Sequence, residues 1–472
     1  MTPQVYSNSI RTFDVAIIGA GPAGLAAAEI FAMHPQEPAS VVIIDMNNHR
    51  GGQFWKNSSK LPEQSPWHHH WRTYLRLEEK AAGFKNFLST QVTRIQYDGQ
   101  LFTLHLNGPR QTPSTITAKK VLYCPGTFDR QVPINGWTTP GVLSAGGIQA
   151  FVKENGTAPG TTFVVGGAGP FLLAAAATII QAGGKVEAIV DASPLSAWFG
   201  LGVAGPLSPS KVKEALGYLC VLIRHGVKFH LKSRICNILS NSTGDRVVSV
   251  EVQTERKKIQ YEADAVGLNW GFTPQLELYL QLGGETAVDR DGSLVAVVDE
   301  NFETNIPNFY VAGEGTGVDG VLGSLVEGRI AAQSILGLDV DLKTRVDLKR
   351  HKVFSRAFQK AVAVPNEAFE ALAGDTTFCR CEESTWSDID GYLRTSGSID
   401  ARSVKGSTRA GMGNCQGRMC GFALCLASAA ERERRAHSRA DVEAAFHEDL
   451  RAIGAKPLAA PVSLESLAED RD

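Results

Sequence analysis

The sequence is poor in cysteine at its start: of eight cysteines in 472 residues, the first is Cys124. A redox-active disulfide on the opening helix is therefore excluded, because such a site needs two closely spaced thiols there. Long apolar runs are also missing. The longest, FLLAAAATII at 171–180, is about half of the roughly 20 residues that a membrane-crossing helix needs, and it reads as a buried helix. No transmembrane segment is expected. Neither sign of charge is in excess: 47 Lys and Arg face 49 Asp and Glu, for a formal charge of −2. An electrostatic footprint for nucleic acid is thus not expected. The opening MTPQVYSNSIRTF lacks the basic stretch, apolar run and small-residue cleavage site of a secretory leader. The expected location is cytoplasmic, with peripheral attachment at the inner face of the membrane left open. In that reducing compartment, clustered cysteines bind metal or do redox chemistry more often than they form structural disulfides. What the chain does have is 43% hydrophobic residues, enough for several buried cores.

FDVAII at 13–18 predicts a strand, GAGPAG at 19–24 a glycine turn, LAAAEIFAM a helix, and VVIID at 41–45 a second buried strand. Gly19, Gly21 and Gly24 have the G-x-G-x-x-G spacing, with Pro22 and Ala23 between them. The glycines allow a tight turn, backbone approach to a pyrophosphate and close helix–strand packing, and the helix N-terminus offers N–H groups to the phosphate. Asp45, about twenty residues on, is placed to accept from an adenosine ribose and argues against a 2′-phosphate, so FAD or NAD is expected. The same order of elements returns at 161–191. There Gly167, Gly169 and Leu172 repeat the spacing, and Asp191 again ends the second strand. Leu in place of the third glycine spoils close helix packing. On residues alone, a working NAD(H) site and a purely structural turn both stay open.

Near the C-terminus, Cys379 and Cys381 form C-x-C, and Cys415 and Cys420 form C-x4-C. Four thiolates in two local pairs match the ligand count of a 2Fe-2S cluster, two sulfurs per iron. Glycines 411, 413, 417 and 421 allow backbone N–H groups near the cluster sulfides. Arg402, Lys405, Arg409 and Arg418 bring positive charge to a net negative group. Zinc with four thiolates and two unliganded pairs are the competing readings, although C-x-C is an unusual spacing for zinc. Cys124, Cys220, Cys236 and Cys425 are read as packing residues. His68, His69 and His70, between Trp67 and Trp71, are read as a partly exposed aromatic lid or partner surface, since consecutive side chains do not point at one ion on regular backbone. The charged run 431–439 is read as a solvated helix face.

KKVLYCPG at 119–126 and TNIPNFYVAGE at 304–314 resemble the two further signatures of flavoproteins with two dinucleotide-binding domains, which favours FAD. In that group an acid after the last glycine holds the flavin ribitol; the matching pair here is Gly313 and Glu314, with Glu where Asp is usual. FCRCEES at 378–384 and KGSTRAGMGNCQGRMCG at 405–421 resemble the 2Fe-2S domain named after bacterioferritin-associated ferredoxin. GTFDRQVPINGWTTPGVLSAGGIQ at 126–149 and GGAGPFLL at 166–173 resemble the large subunits of heteromeric amine-oxidising flavoenzymes. That group includes opine oxidase, hydrogen cyanide synthase, dye-linked proline and hydroxyproline dehydrogenases, and heterotetrameric sarcosine oxidase. The resemblance runs from about 13 to 470, including the ending PVSLESLA. It implies cofactor contacts from Gly52 and Gln53 in GGQFW, and from Val92 and Gly126. Leu at position 172 is common in the group, which implies that free NADH is not used there.

The fold expected is α/β: a glutathione-reductase-like flavoprotein with two Rossmann units, plus a small helical C-terminal 2Fe-2S domain. The first unit is expected at 1–155 and 270–340, the second at 156–269, a linker at 341–375, the cysteine module at 376–430 and a tail at 431–472. The resemblance implies a redox subunit that passes electrons from FAD, or another adenine nucleotide at the same site, to the cluster. Its partners would be an FAD-dependent β subunit of amine-oxidase type plus a further small subunit, with FMN at a subunit interface as an added option. No catalytic acid or base emerges from the sequence. A self-contained NAD(P)H-dependent reductase and a noncatalytic nucleotide-binding redox scaffold are the alternatives.

Overall fold

A computed structural model of the chain describes residues 11–38, 40–58, 65–362, 364 and 366–464. Its first layer is a seven-stranded sheet. The strand Arg11–Ile18 runs at its centre, and Val15, Ala16 and Ile17 are fully buried. A strand covered on both faces reads as a continuous apolar run rather than as an alternation. Val41–Ile44 lies parallel on one side of it and Thr115–Tyr123 parallel on the other. Thr115–Tyr123 is long enough to divide its far edge. Its first half pairs antiparallel with Phe102–Asn107, which pairs in turn with Gln91–Tyr97, and its second half pairs parallel with Phe309–Val311. Residues 309–311 therefore return to the first unit after the second has been built.

The GAGPAG turn leads into helix Pro22–Met33, with Pro at the first helical position, where its missing N–H would have had no partner. Helix Gly320–Ile335 crosses this helix closely. A β-carbon on Gly328 would collide with the Ala23 carbonyl, so the glycine of LVEGRIAA is a packing residue.

The second unit is a five-stranded parallel sheet in the order Lys228–Leu231, Lys185–Asp191, Thr162–Gly167, Ala265–Asn269, Val142–Ser144. A three-stranded antiparallel sheet, Arg234–Ser240, Val247–Gln253 and Lys258–Glu262, stands beside it. One mixed and one parallel sheet with helical faces make this a glutathione-reductase-like α/β fold.

The segment expected as a linker opens with a twenty-residue helix, Leu342–Ala361, whose N-cap Asp341 accepts the Thr344 N–H. Four further helices follow: Trp386–Thr395, Ala401–Thr408, Gly421–Arg434 and Arg439–Gly454. The 431–439 run is not wholly a solvated face. Glu431 and Arg432 are buried, Arg432 pairs with Asp449 at 2.7 Å, and Glu431 receives Arg434 and Arg435. Residues 465–468 of the PVSLESLA ending lie outside the described residues.

The cysteine module is docked on residues 130–137. Trp137 Nε1 donates to the Thr377 carbonyl at 2.6 Å, and Asn135 Oδ1 accepts from Ala373 N–H and the Thr376 hydroxyl. Arg380 stacks over the Trp137 ring, and the fully buried Arg130 lies 3.9 Å from the Phe422 ring centre. Part of the 126–149 segment is therefore the platform that carries the four cysteines. Among the described residues, no helix is long and apolar enough to cross a membrane.

Candidate functional site

The first glycine turn has the geometry of a phosphate cradle. Gly19 has φ +102°, and a β-carbon there would collide with the Cys124 carbonyl; one on Gly24 would collide with the Gly19 carbonyl. Strand, turn and helix are thus packed as tightly as only glycine allows. Gly52, with φ +60°, lies so close that its β-carbon would sit 2.9 Å from the Gly21 Cα, which brings the GGQFW loop beside GAGPAG. The space over Gly21 stays clear: the nearest atom to a β-carbon there is the Gly52 Cα at 3.9 Å, and none lies within 4 Å at Gly126. No side chain caps helix Pro22–Met33, so its N-terminus faces that space without an internal acceptor.

Asp45 ends the neighbouring strand and is buried. Its carboxylate accepts from Ala20 N–H at 2.6 Å, Asn47 N–H at 2.7 Å and Asn47 Nδ2 at 2.9 Å. Burial raises its pKa, against the pull of these donors. Val92 is buried in the adjoining strand Gln91–Tyr97, two residues after Thr90, whose N–H donates to the Asp45 carbonyl. The Gln53 side chain is exposed, and its carbonyl, like that of Phe54, accepts from the buried Lys153 Nζ.

Gly313 packs against this cradle, a β-carbon there lying 3.0 Å from the Ala23 Cβ. Glu314, expected to hold a ribitol, turns its carboxylate onto the start of helix Gly320–Ile335, accepting from Gly320 N–H at 2.8 Å and Ser324 Oγ at 3.4 Å. Burial first, then the Asp319 charge, push its pKa up to about 7. One longer methylene explains the reach. The sequence reading missed the companion acid, Glu327, which is fully buried and accepts from Gly313 N–H and Thr316 Oγ1, each at 2.8 Å. Lys352, from helix Leu342–Ala361, bridges Glu327 at 2.5 Å and Asp319 at 2.7 Å. Burial works against its ammonium, yet the two carboxylates hold it above the ordinary lysine value.

The four module cysteines come together, and they do so across the two local pairs. The Cys379 thiol meets Cys420, and Cys381 meets Cys415. The Cys420 hydrogen bond, against burial and with a smaller pull from the Gly411 N–H, brings Cys379 down to about 5, and the same hydrogen bond with burial pushes Cys420 up. Gly411 N–H points at Cys379 Sγ from 3.5 Å. A β-carbon on Gly413 would collide with the Cys381 Cβ. The glycines are therefore what let the two loops touch. Among the described residues, no three His, Cys, Asp or Glu side chains are disposed about a single ion. A two-iron cluster divides four thiolates between two metals, and two facing couples suit that division. Of the basic residues expected nearby, Arg409 pairs with Glu382 and Arg418 with Glu277, each at 2.8 Å.

The structure bears on two further expectations. His68 is buried, stacks on Trp71 at 4.4 Å and bonds the Lys56 carbonyl, while His69 meets the Tyr218 hydroxyl at 3.1 Å. The histidine run is partly exposed, as expected: His70 is exposed, His69 is half-buried and reaches Tyr218 of the second unit, and His68 is buried beside Trp71. Cys220 is exposed and Cys236 half-buried, so neither is a core residue; Cys124 and Cys425 are buried.

The model of the pyridine nucleotide-disulphide oxidoreductases matches residues 13–333. The chain belongs to that family. It is an FAD-dependent oxidoreductase. The family match stops short of the cysteine module, whereas matches to individual relatives extend further. The chain is 30% identical over 432 residues to an opine oxidase subunit of Rhizobium meliloti (strain 1021), covering 87% of this chain and 91% of the relative. It is 27% identical to the hydrogen cyanide synthase subunit HcnB of Pseudomonas protegens, covering 90% and 93%. Its fold is similar to that of L-proline dehydrogenase from P. horikoshii, with TM-score 0.66 and 19% identity over 97% of this chain and 79% of that one.

Membership in the pyridine nucleotide-disulphide oxidoreductases does not carry their disulfide here, since no cysteine precedes Cys124. The family implies FAD and NAD binding, and the first cradle fits the adenine dinucleotide. In the second turn the acid is likewise engaged within the chain. Its acid, Asp191, is 1% exposed, and it accepts from Gly169 N–H, Ser193 N–H and the Ser193 hydroxyl on one oxygen and from Trp198 Nε1 on the other.

Proposed function

We propose that the chain is the electron-transferring subunit of a heteromeric amine or amino-acid dehydrogenase, taking electrons from a flavin and passing them to a 2Fe-2S cluster. The observation that carries this reading is the meeting of Cys379 with Cys420, under the Gly411 N–H, and of Cys381 with Cys415, on a module docked to the nucleotide-binding body through Trp137 and Asn135. The cradle of Gly19, Gly21, Pro22, Ala23 and Gly24 would hold the pyrophosphate of FAD, with Asp45 toward the ribose. Gly52, Gln53, Val92, Gly126, Gly313 and Glu314 would line the rest. A bound flavin supplies acceptance of electrons in pairs and their release singly, which a one-electron cluster requires.

The chain's own residues position rather than react. Glycine N–H groups orient the phosphate, Gly411 N–H stabilises the charge on Cys379, and Lys352 fixes the acids behind Gly313. Two relatives named as subunits, one of opine oxidase and one of hydrogen cyanide synthase, support a partner. Substrate oxidation would fall to an FAD-dependent subunit of amine-oxidase type, with a third small subunit plus interfacial FMN as further parts. Anaerobic co-purification with an FAD-dependent amine-oxidase-type subunit from the same organism, followed by amine titration, tests this. Bleaching of the flavin by secondary amines is expected, and bleaching by NADH alone would contradict it.

Glu314 favours a second reading of the first cradle only. With its carboxylate turned onto Gly320, the cradle suits an adenine nucleotide without a ribitol. Extraction and chromatography of the retained nucleotide separate the two readings.

A further inference from the structure

Ligands of doubly wound sheets sit outside the carboxyl ends of the strands, where the strand order reverses. In the second unit that point lies between Thr162–Gly167 and Ala265–Asn269, and the residues facing it are Gly169 and Gly271, with φ +92° on both. Val362, just past helix Leu342–Ala361 and 2% exposed, sits in this crevice. A β-carbon on Gly169 would collide with its Cγ1, and one on Gly271 would lie 3.4 Å from its Cβ. The Ser193 hydroxyl lies 2.5 Å from both the Ala361 carbonyl and Asp191 Oδ1, its single proton divided between them. The Gly169 N–H that a pyrophosphate would need already donates to Asp191 at 3.2 Å. The first cradle, by contrast, has no side chain over Gly21.

We infer that Ala361 and Val362 are a built-in occupant of the second dinucleotide crevice, so that Val362 sets the enzyme's refusal of pyridine nucleotides. The helix is held in place from the first unit by Lys352 on Glu327 and Asp319, and by Gln359 Nε2 on Asp289 at 2.6 Å. Its end is thereby delivered to the second. The family's implied NAD site is thus a mismatch with the residues present, and this holds whatever the cysteine quartet binds.

The test is calorimetric titration of the complete, co-purified chain with NADH and NADPH, with FAD in excess to fill the first cradle. No saturable binding up to millimolar nucleotide is expected of the wild type, and Val362→Gly should tighten NADH binding on the order of tenfold or more. Val362→Phe should bind no better than wild type. If Val362→Gly melts early, Val362→Ala is read in the same way. Hydrogen exchange on the wild type is independent of any variant: NADH should leave peptides spanning 167–172 and 355–362 unchanged. Micromolar NADH binding by the wild type, protection of those peptides, or a folded glycine variant without gain would overturn the inference.

Discussion

Glu314 is a residue whose environment sets a measurable pH dependence. Burial raises its carboxyl from the ordinary glutamate value to about 7, so between those values the folded chain binds a proton that the unfolded chain has released. Stability from this group is therefore greatest below the unfolded pKa and falls as pH rises toward 7. Glu314→Gln keeps an acceptor for the Gly320 N–H and carries no titrating group. It should stabilise the protein at pH 8 relative to pH 5 by about 1–3 kcal/mol more than wild type, read from denaturant melts at the two pH values. Equal differences in the two proteins would rule out burial as the cause. Gly24 makes a steric claim instead. Gly24→Val would push a side chain into the Gly19 carbonyl, and should cost about 1–3 kcal/mol together with loss of the retained nucleotide on gel filtration.

At the scale of elements, helix Leu342–Ala361 acts as a cross-brace, and Lys352 is its charged pin. Lys352→Met would leave Glu327 and Asp319 buried without a countercharge, a loss of about 3–5 kcal/mol. Urea melts near pH 8 should show it, and melts at pH 5 should show less, since Glu327, raised by burial to about 7, protonates there. In the cysteine module, Gly413→Ala should separate the loops carrying Cys381 and Cys415. Metal content should fall while the melting of the nucleotide-binding body is unchanged.

The elements themselves were legible because their signals are local. FDVAII, GAGPAG and VVIID carry strand, turn and strand in consecutive residues, and FLLAAAATII forms its helix at Phe171–Gln181. The braces were not legible. Lys352 on Glu327, Val362 on Gly169 and Lys153 on the Gln53 carbonyl each join residues with no shared period, and a single long-range contact leaves no pattern in the chain. The cross-pairing of cysteines has the same origin: spacing shows which thiols are neighbours in sequence, while the folding of helices 386–395 and 401–408 decides which meet. Which histidine of 68–70 is buried was not legible for a related reason, because the Trp71 and Lys56 contacts that bury His68 are tertiary.

For the whole molecule, the two dinucleotide crevices differ: one is open and one is filled. The first unit keeps clear space over Gly21 and Gly126, the second is closed by Val362, and the thiol quartet rests on the platform at 130–137. On the reading proposed above, electrons would enter from a partner subunit and leave through the cysteine module. The most direct measurement of the proposed reading is iron and acid-labile sulfide analysis of anaerobically purified wild type and Cys415→Ser, each co-expressed with an amine-oxidase-type subunit from the same organism. Two irons and two sulfides per chain in the wild type, lost in the variant with nucleotide retained, are expected. Zinc in place of iron, or iron that survives Cys415→Ser, would contradict it.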